Sequence, residues 1–224
     1  WRLGDLSGVG VWVVVGSGRA LGARSRQGGE AWSGVWIFDS MGGIGLSDAA
    51  LAAVSKAWLG MAPATALTPA LLELFGEPDA WHLVHSFRRR FGARDPIDLR
   101  RAARVVMQVA AAGDPVAQGI VAEQGRLFAD YARAIAAQAG IDAATDRLPV
   151  VLNGSIVTSE HSVVRDALLA ALADRFPGSP VVVADAPPVA GAALDALAAG
   201  GVTLTEAVRA TVAGAVHPDG FLTT

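Results

Sequence analysis

The stretch Val11–Gly22, VWVVVGSGRALG, decides how this chain is read. An apolar run from Val9 to Val15 leads into Gly16-Ser17-Gly18, and a second extended segment follows at once. β-Branched side chains dominate the run, which favours a strand buried on both faces. Glycines on either side of Ser17 allow a turn with positive φ and let backbone N–H groups approach whatever lies above them. A strand, a glycine–hydroxyl–glycine turn and a returning strand can grip phosphate. The same pattern also closes ordinary structural hairpins, and this stretch alone leaves both readings open.

Working outward, residues 9–15, 19–26 and 30–38 are expected to be successive strands, with Arg26-Gln27-Gly28-Gly29 turning between the second and third. A glycine-rich connection, Asp39-Ser40-Met41-Gly42-Gly43-Ile44-Gly45, precedes a helix that Ser47 is placed to cap. A looser helical region covers 66–112, broken at Gly76-Glu77-Pro78 and at Asp95-Pro96, and its last helix stops at Gly113. Asp114-Pro115 opens the longest helix: Asp favours the cap, and Pro the first helical position. Val116, Ile120, Leu127, Tyr131 and Ile135 keep helical spacing and predict its core face. Gly140 ends it. A strand over 149–152 then runs into Asn153-Gly154-Ser155. A helix is expected from after Thr158-Ser159 to about Phe176, a strand over 180–184, a small-residue helix from Pro187-Pro188, and a last helix near 204–215. Strand and helix alternate through this half, which predicts an α/β fold with helices packed on a sheet.

Composition narrows the function classes. The 224 residues are long enough for a well-buried core; 52% are hydrophobic and 17% charged, the balance of an alanine-rich globular chain. A net charge of −3 gives no electrostatic case for nucleic acid or for an anionic membrane. The one basic run noted, Arg88-Arg89-Arg90, reads as a solvated helix face. With no cysteine, disulfides, thiolate metal sites and cysteine nucleophiles are excluded within this sequence. No apolar stretch reaches the roughly 18 residues that span a bilayer. The opening WRLGDLSG shows neither an initiator methionine nor a signal peptide, so a fragment of a cytoplasmic protein is expected.

Two strand-to-turn sites carry the chemistry. Gly16-Ser17-Gly18 and Asn153-Gly154-Ser155 each put glycine and a hydroxyl just after an apolar strand, where open α/β sheets place ligands. A helix N-terminus after the second would favour an anion. The plain alternative for Gly154-Ser155 is a strand-to-helix loop. Gly191 sits in a helix, where glycine costs about 1 kcal/mol relative to alanine, so either tight packing or a ligand has to explain it. Asp39, after an aromatic strand, is placed to accept sugar hydroxyls, with Trp32 offering a flat face; a turn aspartate bonded to its own backbone is the alternative. The four histidines have no metal-ligand spacing, and no G-x-S-x-G elbow exists.

Taken in order, these landmarks resemble the second lobe of the N-acetylglucosamine kinase family, which groups with BadF/BadG-type ATPases. The residues that carry the resemblance are Gly16-Ser17-Gly18-Arg19, Trp32, Asp39-Ser40-Met41-Gly42-Gly43, Ala110-Ala111-Ala112-Gly113-Asp114, Asn153-Gly154-Ser155 and Pro187-Pro188-Val189-Ala190-Gly191-Ala192. They span about residues 9–200. The family has Thr at Ser17, Ser at Arg19 and Glu at Ser40. The resemblance implies an actin-like (ribonuclease-H-like) α/β ATPase lobe over residues 1–224, preceded by a first lobe upstream of Trp1. It implies transfer of the γ-phosphoryl group of Mg-ATP to an amino sugar, N-acetylglucosamine at position 6. Gly16, Ser17, Gly18, Gly154, Ser155 and Gly191 would then contact ATP. Ser17, Gly18, Trp32 and Asp39 would contact the sugar. The catalytic base and most of the Mg2+ site would belong to the first lobe. A non-catalytic actin-fold binding protein, or a BadF-type ATPase with another role, is the alternative. A dehydratase activator of that group would need iron–sulfur cysteines, which the sequence lacks. The sugar and ATP are the expected partners, and a homodimer stays open.

Overall fold

In this computed structural model, which describes residues 2–34, 36–87, 94–184 and 186–215, five strands form one mixed sheet. In chain order the elements are β1 (Gly10–Val15), β2 (Arg19–Arg24), β3 (Glu30–Trp32), α1 (Gly42–Trp58), α2 (Leu67–Phe75) and α3 (Ala80–Ser86). A 3₁₀ helix (Pro96–Arg101) runs directly into α4 (Ala102–Ala111). There follow α5 (Pro115–Gln138), β4 (Val150–Asn153), α6 (Val163–Arg175), β5 (Val181–Val183), α7 (Pro188–Ala199) and α8 (Glu206–Ala213). The sheet order is β3-β2-β1-β4-β5; the hairpin strands pair antiparallel, and β1, β4 and β5 run parallel.

The valine run becomes the sheet's central strand because its two neighbours leave it no edge. Val11, Val13 and Val15 are fully buried and face a large core with Phe128, Leu46, Leu152 and Leu168. Trp12 and Val14 point to the other face and are only half-buried, so burial on both faces is incomplete. Trp12 lies flat over β2 where Gly22 makes room: a Cβ there would stand 1.8 Å from the indole. That second face is covered by a smaller cluster of Leu3, Val151, Ala184, Ala190 and Leu194.

The α5 cap forms as expected. Asp114 accepts from the Ala117 N–H at 2.9 Å and also takes the Thr65 hydroxyl at 2.9 Å and the Ala66 N–H at 2.8 Å. One carboxylate thereby ties α5 to the start of α2. The core face of α5 is rotated from the expected one. Ala117, Val121, Phe128, Ala132 and Ile135 are buried, whereas Val116, Ile120, Leu127 and Tyr131 are only partly so. The buried stripe is small because α6 packs very close: a Cβ on Gly125 would meet the Ala167 backbone at 2.7 Å. Large side chains therefore occupy its flanks.

Three further expectations change. The third strand stops at Trp32, where Ser33 bonds across to Leu21 and Gly34 takes φ +43°. Ser47 is no cap: α1 begins at Gly42, and Ser47 lies inside it with a buried hydroxyl that has no hydrogen-bond partner among the described residues. The helix after β4 starts at Val163, behind a turn whose Ile156 and Val157 are buried in the core. The Arg88-Arg89-Arg90 run lies outside the described residues. No single helix among the described residues is long and apolar enough to cross a membrane.

Candidate functional site

β1 and β4 run side by side in the same direction, so their ends deliver the two glycine turns together. Val14 pairs with Asn153, and the chain leaves both strands at the same edge of the sheet. Ser17 and Ser155 line one cavity of about 540 Å³. Both residues are exposed. The cavity's other walls are Gly43 at the start of α1, Ile156 and Ser159 after β4, and a ridge from the 3₁₀ helix and α4 that includes Arg100, Arg101, Arg104 and Met107.

The two turns are built differently. Gly154 has φ +104°, and a Cβ there would stand 2.4 Å from the Val15 carbonyl oxygen. Only glycine fits, because β4 must pass against the end of β1; the Ile156 N–H then bonds to that same carbonyl at 3.0 Å. Gly16 and Gly18 have no such constraint. Neither takes a positive φ, contrary to the sequence expectation, and a Cβ at either would meet nothing within 4 Å. The backbone beside Ser17 thus borders open space.

The N-terminus of α1 holds this turn in place. The Gly43 N–H donates to the Gly16 carbonyl at 2.9 Å, and the Ile44 N–H donates to the Ser17 carbonyl at 2.8 Å. Gly42, with φ +71°, comes so close that a Cβ would stand 2.3 Å from the Gly18 carbonyl oxygen. Buried Gln124 of α5 completes the support: it accepts from the Gly42 N–H at 3.1 Å and donates to the Ser40 carbonyl at 3.2 Å. The helix's free N–H groups, left without partners by helix geometry, are thus spent on the turn and on Gln124. The helix expected after Thr158-Ser159 is α6, which starts at Val163, several residues beyond the Gly154-Ser155 turn.

The remaining candidates lie elsewhere. Trp32, 62% exposed, lines a second cavity of about 430 Å³ with Trp36, Ile37 and Tyr131. Asp39 is exposed at its border and accepts the Tyr131 hydroxyl. That hydrogen bond, then burial and the carboxylate's charge, hold the Tyr131 phenol above its ordinary pKa. Asp39 therefore bonds to a partner distant in sequence, and among the described residues its carboxylate makes no bond to its own backbone. Arg19 joins this region to the first turn, donating to the Ile37 carbonyl. Gly191 faces a third cavity of about 250 Å³ with Leu3, Trp12 and Val14. A Cβ there would touch Leu3 at an ordinary 3.5 Å, so tight packing does not demand glycine.

ATP and Mg2+ fit the main cavity unequally. Hydroxyls, open backbone and cationic side chains suit a polyphosphate. None of the lining residues has a carboxylate, and among the described residues no group of three or more metal-ligating side chains occurs. This lobe's residues alone do not make a Mg2+ site. Sequence reading missed Arg100, Arg101 and Arg104; the three- and four-residue spacings of Arg104 from Arg101 and Arg100 suit helical neighbours, but only the tertiary fold places them on this cavity.

No family model matches the sequence, and no curated protein matches it. Solved structures do. One, a provisionally assigned N-acetylglucosamine kinase from Chromobacterium violaceum, superposes with a TM-score of 0.62 at 25% identity, over 83% of this chain and 58% of that one. Another, from Porphyromonas gingivalis and provisionally assigned the same activity, gives 0.59 at 16% identity, over 90% of this chain and 64% of that one. This chain thus spans less than two thirds of either. Superposition over most of this chain, on a mixed five-stranded sheet packed with helices, means that it shares the α/β, actin-like fold of these N-acetylglucosamine kinase neighbours.

Proposed function

We propose that this chain forms one lobe of an ATP-dependent sugar kinase that phosphorylates an amino sugar, N-acetylglucosamine at its 6-hydroxyl. The observation that carries the reading is the convergence of Ser17 and Ser155, from the ends of two parallel strands, on one cavity. Phosphoryl transfer depends mainly on positioning and on neutralising charge. Here the Ser17 hydroxyl and the open backbone at Gly16 and Gly18 would orient the transferring phosphate, and the Gly154-Ser155 turn would seat the nucleoside. Trp32 and Asp39 would hold the sugar, with Tyr131 fixing the carboxylate. The general base and the carboxylates that hold Mg2+ would come from the preceding lobe. Bound Mg2+ would screen the phosphate charge. The setting would be cytoplasmic.

The experiment is ADP formation by the intact protein with N-acetylglucosamine, glucosamine and unmodified hexoses. N-acetylglucosamine should stimulate it most, and Ser17→Val should lower turnover roughly 100-fold, the scale of losing one oriented donor. ATP binding with no stimulation by any sugar would refute the reading. A second reading, a nucleotide- or sugar-binding protein without turnover, is favoured by one observation: no carboxylate lines the main cavity. Calorimetry that finds tight binding, with no phosphorylated product, would select it.

A further inference from the structure

The cavity shared by Ser17 and Ser155 has a wall that the sequence motifs do not include. Arg100 and Arg101 close the 3₁₀ helix, and Arg104 lies in the first turn of α4. All three are exposed and line the same cavity. Two are already held: the Arg100 Nε–H donates to the Ile97 carbonyl at 3.1 Å, and the Arg101 guanidinium lies 5.8 Å from the Phe75 ring centroid. The Arg104 side chain has no hydrogen bond or ion pair among the described residues. Glu73 lines an adjoining cavity that shares Leu74, Val105 and Gln108, not this one.

A chain with a net charge of −3 therefore concentrates three cations around one cavity and supplies no lining carboxylate to neutralise them. Like charges on one helical surface repel and destabilise the helix unless something offsets them. A polyanion does so, and the fixed fork of a guanidinium pairs with phosphate oxygens in two parallel bonds. We propose that Arg104, flanked by Arg100 and Arg101, is the contact that retains the phosphates of a nucleoside polyphosphate in this cavity. The proposal deepens the kinase reading and rests on it for the choice of nucleotide.

The test titrates ADP and, separately, uncharged adenosine into the intact protein, comparing wild type with Arg104→Glu, Arg104→Lys and Arg26→Glu. Arg26 is exposed in the β2–β3 turn and controls for total charge. ADP affinity should fall roughly tenfold or more in Arg104→Glu. Arg104→Lys should fall in between, Arg26→Glu should match wild type, and adenosine should bind all four alike. Salt should weaken ADP binding to wild type more than to Arg104→Glu. Three results would overturn the inference: no ADP binding by wild type, ADP affinity of Arg104→Glu within about twofold of wild type, or equal losses for adenosine or for Arg26→Glu. The two readings fail separately. Charge-dependent ADP binding without sugar-stimulated turnover removes the kinase and keeps the arginine contact. Sugar-stimulated turnover with ADP affinity indifferent to Arg104 does the reverse.

Discussion

Replacing Gly154 and Gly16 by alanine, one at a time, separates what the two turns are for. At Gly154 a methyl group would stand 2.4 Å from the Val15 carbonyl oxygen, 2.7 Å from its carbonyl carbon and 2.8 Å from its nitrogen. All three are backbone atoms of the central strand and cannot swing aside as a flexible side chain would. Forcing alanine to keep φ +104° adds strain of about 1–3 kcal/mol. Displacing packed backbone costs a similar amount, so the total is roughly 2–6 kcal/mol. For a chain of this size each kcal/mol lowers Tm by about 2–4 °C, which gives a fall of roughly 4–24 °C. Gly16 should behave oppositely. Its Cβ would meet nothing within 4 Å and its φ is not left-handed, so alanine restricts only the unfolded chain and stabilises by about 0.4–1 kcal/mol. The same methyl group would occupy the open space beside Ser17, so nucleotide affinity should drop although stability does not. Calorimetric unfolding and ADP titration of both variants read out the pair. A Gly154→Ala protein within about 0.5 kcal/mol of wild type would refute the close-approach argument. A Gly16→Ala protein that unfolds as early as Gly154→Ala would refute the contrast.

Other perturbations test the surrounding supports. Asp114→Ala removes the α5 cap and the tie to Thr65 and Ala66, and should cost about 1–3 kcal/mol by urea unfolding. Burial works to raise the Asp114 pKa, but the Ala117 and Ala66 N–H groups and the Thr65 hydroxyl outweigh it and leave the pKa below the ordinary carboxylate value. Its contribution is therefore present above the unfolded-state pKa and is lost as pH falls through the folded one, so the gap between wild type and variant should close in acid. Tyr131 is the chain's one tyrosine; in this chain its phenolate absorbance should appear at lower pH in Asp39→Asn, and an unchanged midpoint would contradict the Asp39 contact. If that contact orients the sugar's acceptor, Tyr131→Phe should raise the sugar KM roughly 3- to 10-fold with little change in kcat, read from saturation kinetics.

Sequence and structure agree wherever a local rule meets no competitor. The valine run, the Asp114-Pro115 start of α5, the stop at Gly140 and the strand β4 were all legible because side-chain chemistry decided each on the spot. The start of α1 was not. Gly42, Gly43 and Gly45 argue against a helix by propensity, and its own cap residue, Met41, offers no side-chain cap; the partners of its first N–H groups are the Gln124 side chain and the Gly16 and Ser17 carbonyls, all distant in sequence. The rotated face of α5 has a related cause, since alanine and glycine carry little hydrophobic signal yet allow α6 to approach. The pairing of Asp39 with Tyr131 and the gathering of arginines around Ser17 and Ser155 depend on tertiary placement, to which no spacing rule gives access. Arg19, which replaces the serine of the resembled motif, gains a physical account: its side chain reaches the Ile37 carbonyl and braces the loop that carries Asp39.

The hydrogen bonds from Gly43 and Ile44 to the Gly16-Ser17 carbonyls, with Gln124 behind them, make the hairpin tip and the head of α1 a single rigid joint. A ligand that shifts the tip cannot do so in isolation. It must either push a seventeen-residue rod lengthwise against its neighbours or break two bonds to spare it. Trp58, with its indole 52% exposed at the far end of that rod, is where a lengthwise displacement of the helix would be read by fluorescence.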